Sequence, residues 1–83
     1  MMIEVFGPGC ARCKQTAKIM ELALEQLGRK LGEDAMVQKV EDMRAGALRG
    51  VMTTPAVAID GRIVSQGKLP TIDEAKSWIQ AAS

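Results

Sequence analysis

The chain has 83 residues, with 11 basic and 10 acidic side chains, no histidine and a net charge of +1. So even a balance supplies no field to draw the protein onto nucleic acid or an anionic membrane, and one Phe, one Trp and no Tyr leave no platform for stacked bases. With 47% apolar residues and no low-complexity stretch, residues 1–83 read as a single domain, because a core cannot be divided further at this length.

No apolar run approaches the roughly 18 residues a membrane span requires. Glu4 stands where a secretory signal would need apolar residues, and no basic residue precedes it. The expected location is the cytoplasm, where a close pair of cysteines serves catalysis or metal binding rather than as a structural staple.

Met2 to Phe6 is mostly apolar and stops at Gly7-Pro8-Gly9, a group suited to a turn, so it reads as a strand followed by a loop. From Ala11 the period changes: Cys13, Ala17, Met20, Leu24, Leu27 and Leu31 recur at steps of four and three, which lines one face of an α-helix. Cys13 lies on that stripe, while Cys10, at the tip of the helix, faces solvent. Arg29 and Lys30 suit the negative end of the macrodipole and Gly32 suits a C′ position, so the helix is expected to end near Leu31, with an earlier end at Gly28 as the competing position.

Ala35 to Val40 reads as a second strand, at a sheet edge where Gln38 and Lys39 reach water. Asp42 to Leu48 reads as a short helix weakened by Gly46. Gly50 to Pro55 then leads into extended chain, since a residue before proline avoids the α region. Two short apolar runs, Ala56 to Ile59 and Arg62 to Val64, flank Asp60-Gly61, a dipeptide suited to a type I′ turn, and predict a β-hairpin. Thr71-Ile72-Asp73-Glu74 has capping-box spacing, and Ile72, Ala75, Ile79 and Ala82 follow at helical intervals, predicting a closing helix of about three turns. The order β-α-β-α-β-β-α, with the first two strands parallel and the hairpin antiparallel, implies an α/β fold: one mixed four-stranded sheet covered by helices on both faces.

Gly7-Pro8-Gly9-Cys10-Ala11-Arg12-Cys13 places two sulfurs about one helical turn apart, close enough to form a disulfide with little backbone movement. At the helix start Cys10 meets unpaired main-chain N–H groups and the positive dipole end, and Arg12 and Lys14 add positive charge, so the thiolate is favoured. The expected chemistry is exchange, with Cys10 attacking a substrate disulfide and Cys13 resolving the mixed disulfide. Packing as small apolar residues would account for Cys13 but not for Cys10, which follows the turn and lies off the stripe. The alternative from another class is a soft-metal or metalloid carrier using the same pair. Structural zinc normally needs four ligands, and the chain has two Cys and no His. Ferredoxin-like metal carriers run β-α-β-β-α-β and end on a strand, whereas this chain is expected to end on a helix. No cofactor is expected.

Strand, Cys10-Ala11-Arg12-Cys13, helix, and later Gly50-Val51-Met52-Thr53-Thr54-Pro55-Ala56 before a hairpin resemble the thioredoxin superfamily over nearly the whole chain. The likeness is greatest to its small, glutaredoxin-sized redox-active disulfide proteins. It implies a minimal thioredoxin-like fold and a dithiol–disulfide oxidoreductase with Cys10 and Cys13 as catalytic residues. It also implies that Thr54-Pro55 is a cis peptide against the cysteine pair, and that Thr54 main-chain groups pair with an extended substrate segment; Pro8, Gly9 and Arg12 would border that segment. Read without the resemblance, Pro55 merely opens an edge strand.

The implied partners are a disulfide-containing protein substrate and a reductase or thiol donor, met by a monomer. Gly9 stands where thioredoxin has its Trp, and the dipeptide between the cysteines matches neither thioredoxin nor glutaredoxin, so no reduction potential carries over. Glu4 falls where thioredoxin has a buried acid and could relay a proton beneath Cys13. Its other reading, favoured by the cost of burying an unpaired carboxylate, is an exposed polar residue of the strand. Ser65-Gln66-Gly67-Lys68 does not reproduce the Gly-Gly pair and Asp with which glutaredoxins hold glutathione; Gly67 marks either a close backbone approach or an ordinary loop. Met20, Met36, Met43 and Met52 read as core filler, Trp78 as packing of the last helix, and Arg12, Lys14 and Lys18 as a solvated helix face.

Overall fold

Residues 1–82 are described by the computed structural model, and the sheet is laid out around their first strand, β1 (Met2–Phe6). After it come α1 (Ala11–Gln26), β2 (Met36–Val40), α2 (Met43–Leu48), β3 (Ala56–Ile59), β4 (Arg62–Gln66) and α3 (Ile72–Ala82), in the expected order. β2 pairs parallel to β1, with Met2 opposite Met36, and β3 pairs antiparallel on its other side, with Ile3 opposite Ile59. β4 completes the mixed sheet in the order β2-β1-β3-β4, and β2 lies at an edge as its polar residues require.

Side-chain alternation along β1 and β3 assigns the two faces. Ile3, Val5, Val57 and Ile59 join Met20 and Leu24 of α1 and Ile79 of α3 in the main core, against which Trp78 also packs. Phe6, Ala56 and Ala58 form a smaller cluster on the opposite face, where Gly46 of α2 lies against the Phe6 ring. Helices therefore cover both faces, and the architecture is that of a minimal thioredoxin-like fold. Among the described residues no helix is long and apolar enough to cross a membrane.

The end of α1 differs from the expected position. The helix stops at Gln26 with Leu27 as its cap, because Gly28 takes φ +77° and closes a Schellman motif. Gly28 N–H donates to Glu25 O at 3.0 Å and Arg29 N–H to Leu24 O at 2.9 Å. Arg29 and Lys30 thus lie beyond the helix, and Leu31 makes an isolated bridge with Ala35. The methionines also depart from expectation. Met20 is fully buried, but Met36 on the edge strand, Met43 at the start of α2 and Met52 in the following loop are 53%, 39% and 89% exposed.

The hairpin turns as its sequence predicts, with Asp60 at φ 49° and Gly61 at φ 88°. Asp60 Oδ1 also accepts the Met2 N–H at 2.8 Å, which ties the turn to the start of β1. At the head of α3 the capping box forms in full: Thr71 Oγ1 accepts the Glu74 N–H, and Glu74 Oε1 accepts the Thr71 N–H, both at 3.1 Å. Replacing Thr71 by Ala removes one half of this exchange and is expected to lower stability by about 1 kcal/mol. Equilibrium urea unfolding checks this, with a lower midpoint and an unchanged m-value as the expected result.

Candidate redox site

The loop Gly7-Pro8-Gly9 carries the chain from the end of β1 to the head of α1. Gly7 N–H donates to Val40 O at 3.0 Å, which fixes the loop to β2. Cys10 is the cap residue of α1, with extended backbone (φ −71°, ψ 170°), and its carbonyl accepts the first helical bond from Lys14 N–H at 3.0 Å. One turn on, Cys13 faces the sheet. Both thiols are free, with Cys10 exposed and Cys13 only 5% exposed, and their sulfurs are 3.1 Å apart.

The buried sulfur rests on bare main chain. A Cβ built on Gly7 would stand 2.0 Å from Cys13 Sγ and 3.0 Å from its Cβ, distances that no side chain can occupy. The sequence reads Gly7 only as a turn residue, and no local pattern signals that a helix one turn later brings a sulfur onto it. The same construction places Thr54 Cβ 3.9 Å away, so the Thr54-Pro55 segment lies beside the Cys13 contact. The Thr54–Pro55 peptide bond is cis and Pro55 is buried, as the resemblance implies. Pro8 and Arg12 are exposed on the rim.

Gly9 has φ +86°, and a Cβ there would come within 3.5 Å of the Glu41 carboxylate. Glu41 joins Lys14, Lys39, Gly9 and Cys13 in lining a cavity of about 10 Å³ beside the buried sulfur, the room of a single water. Sequence reasoning missed Glu41, which follows β2 and is brought to the site only by the parallel pairing of β2 with β1.

Charge is divided unequally between the sulfurs. The Cys13 thiol, donating to Cys10, is the main influence holding Cys10 below the usual thiol range, and main-chain N–H groups of Cys13 and Arg12 act in the same direction. The Cys10 sulfur makes no capping bond of normal geometry, so these amides act on it as oriented dipoles at the helix start. Burial chiefly pushes the Cys13 thiol up, and its hydrogen bond to Cys10 and the negative charge there add to the effect.

Glu4 is taken up elsewhere. Its Oε1 and Oε2 accept from Arg49 Nη2 at 2.8 Å and Nη1 at 3.1 Å, and the Arg49 guanidinium lies 5.5 Å from the centre of the Phe6 ring. Val5, its neighbour on β1, lines the Cys13 cavity, so alternation turns Glu4 to the opposite, Phe6 side of the sheet. It is therefore neither beneath Cys13 nor a free polar residue of the strand. Gly67 does mark a close approach: a Cβ there would stand 2.8 Å from Thr53 Oγ1. Among the described residues no group of three or more His, Cys, Asp or Glu could hold a metal ion.

A solvent-facing and a buried thiol at the head of a helix, beside a cis-proline segment on a four-stranded mixed sheet, define the thioredoxin-like class. A model of the thioredoxin domain matches residues 1–80, and the chain belongs to that family. It is 38% identical to a thioredoxin of Methanocaldococcus jannaschii over 81 residues, which cover 98% of this chain and 88% of that protein. A thioredoxin of Methanothermobacter thermautotrophicus is 30% identical over 76 residues, 92% of this chain and 94% of that one. Family membership and the adjacent thiols support thiol–disulfide oxidoreduction in general terms.

The pH dependence of Cys10 alkylation tests the division of charge. A lowered pKa leaves more thiolate at neutral pH, so the rate is expected to rise with pH through a midpoint below the ordinary thiol value of about 8.5. In Gly7→Ala the added Cβ drives the Cys13 sulfur away and Cys10 loses its main donor, so the midpoint moves up. Iodoacetamide labelling read by peptide mass spectrometry measures both; a midpoint unmoved by Gly7→Ala would show that Cys13 is not what holds Cys10 down.

Proposed function

We propose that the chain is a dithiol–disulfide oxidoreductase of disulfide-containing protein substrates, with Cys10 as nucleophile and Cys13 as resolving cysteine. The carrying observation is the 3.1 Å separation of an exposed and a buried sulfur. Cys10 thiolate attacks one sulfur of the substrate disulfide, forming a mixed disulfide and expelling the other substrate sulfur as a thiolate that takes a proton from solvent. Cys13 loses its proton and attacks Cys10 Sγ, which forms the Cys10–Cys13 disulfide and releases the second substrate thiolate. The substrate gains two electrons and two protons, and the oxidised pair then needs a reductase or thiol donor. Run backwards, the same steps oxidise a substrate dithiol.

Thr54 and Pro55 are assigned to the substrate segment, with Pro8, Gly9 and Arg12 along its border. The position of Thr54 beside the Gly7–Cys13 contact supports this, since a segment paired there would pass close to the sulfurs. In this reading the protein acts as a monomer in the cytoplasm, where a reducing environment keeps the pair ready to attack.

Replacing Cys13 by Ser removes resolution and is expected to accumulate mixed disulfides through Cys10; Cys10→Ser is expected to accumulate none. Non-reducing gels with mass spectrometry of the trapped species check both. Redox titration of the unaltered chain should show reversible loss of two hydrogens. A protein that retains stoichiometric metal on purification and shows no such couple would be a soft-metal carrier instead.

A further inference from the structure

β4 ends at Gln66, a residue on the surface whose side-chain amide is engaged by the chain preceding Pro55. Its Oε1 accepts the Met52 N–H at 2.7 Å and the Thr53 N–H at 3.3 Å, and its Nε2 reaches Gly50 O at 3.5 Å. The next residue continues the grip through main chain, with Gly67 N–H donating to Pro55 O at 2.9 Å. Gly67 has φ +75° and packs its Cα side against Thr53, where no Cβ would fit. Residues 50–54 belong to no helix or strand, and Met52 among them is 89% exposed. Such a stretch has no ladder to satisfy its main-chain groups, and here one side chain substitutes for the missing neighbour strand.

We propose that Gln66 is a positioning residue for substrate binding, holding Met52 and Thr53 so that Thr54 presents its main chain to the substrate segment beside Cys10. The inference rests on the dithiol exchange reading and on the place given there to Thr54. An extended peptide binds through main-chain hydrogen bonds, whose worth depends on the orientation of the strand that receives it. A segment that wanders by about 1 Å forfeits much of that advantage. The role belongs to the acceptor oxygen, which takes both of the shorter bonds. Glu at this position keeps acceptors for Met52 and Thr53, whereas Ala keeps none. The effect falls on substrates with a peptide backbone, because a small disulfide reaches Cys10 without lying along Thr54.

The test compares the unaltered chain with Gln66→Ala and Gln66→Glu, on insulin with dithiothreitol as reductant, and, after the protein is reduced and freed of dithiothreitol, in a single turnover with the small aromatic disulfide 5,5′-dithiobis(2-nitrobenzoate). Gln66→Ala is expected to raise KM for insulin about fivefold with kcat unchanged, the scale of one ordinary hydrogen bond lost. Its rate on the small disulfide stays the same, and Gln66→Glu returns KM for insulin to within about twofold of the unaltered chain. Amide hydrogen exchange at Met52 and Thr53 is expected to quicken in Gln66→Ala while that of β1 does not. An unchanged KM for insulin, or equal losses on both disulfides, would overturn the positioning role alone. An unaltered chain that reduces neither disulfide would overturn the exchange reading, and this role with it.

Discussion

The contact between the Cys13 sulfur and the bare main chain of Gly7 sets the geometry of the site. Because no side chain intervenes, the first turn of α1 settles directly on the end of β1, and the buried sulfur is fixed against the sheet. Helical geometry then determines where the other sulfur goes: a cap residue one turn earlier must emerge at the tip, within reach of its partner and open to solvent. The Gly7 N–H bond to Val40 holds that loop to β2, which brings Glu41 and Lys39 alongside. Thr54 occupies the remaining side. Three segments distant in sequence thus meet at one glycine.

The unequal charge of the two sulfurs follows from the same contact and changes as the proposed reaction proceeds. In the free dithiol, Cys13 donates to Cys10, so each thiol pushes the other's ionisation in the opposite direction. Once Cys10 is bonded to substrate it carries no charge and is a weak acceptor. Two of the three causes that raise Cys13, the hydrogen bond to Cys10 and the negative charge there, then disappear, leaving burial. Cys13 becomes easier to ionise at the stage when it must attack. In the proposed reaction, an interaction that favours the first thiolate and restrains the second ends when the mixed disulfide forms, which suits the order of attack proposed for the pair.

Elements set by local chemistry were legible in the sequence. Asp60-Gly61 specifies its turn through two positive φ values, and Thr71 and Glu74 specify the start of α3 through bonds within one turn. The apolar run of β1, stopped by Gly7-Pro8-Gly9, and the spacing of Cys10 and Cys13 likewise gave the first strand and the sulfur pair. The end of α1 was misplaced because the apolar period runs on through Leu27 and Leu31, while Gly28, by adopting a left-handed conformation, ends the helix whatever the period beyond it. Gly7, Glu41 and Gln66 were missed for a different reason. Each acts on a residue that only the folded chain brings near, Gly7 on the first turn of α1 and the other two across the sheet, and each is of a type common in loops and on surfaces. The methionines carry no positional signal of their own: Met20 is buried because it lies on the α1 stripe, whereas Met52 is exposed in a loop.

Glu4 shows how a position associated with one role in the superfamily can serve another. Its bidentate pair with Arg49 lies on the α2 side of the sheet, with the Glu4 side chain 16% exposed and Arg49 37% exposed. A pair this open to water contributes at most about 1 kcal/mol to stability, so its significance lies in where it holds the chain. Arg49 caps the end of α2 and immediately precedes the stretch that leads to the cis-proline. The stretch is therefore held at its start by Glu4, along its length by Gln66, and at its end by the Pro55 carbonyl bond to Gly67. One of these three ties comes from the last residue of β4, one from the glycine that follows it, and one from β1, which also leads into the cysteine loop. β1 thus reaches two places at once: it leads into the cysteine loop, and through Glu4 and Arg49 it meets the start of the stretch that ends at Pro55.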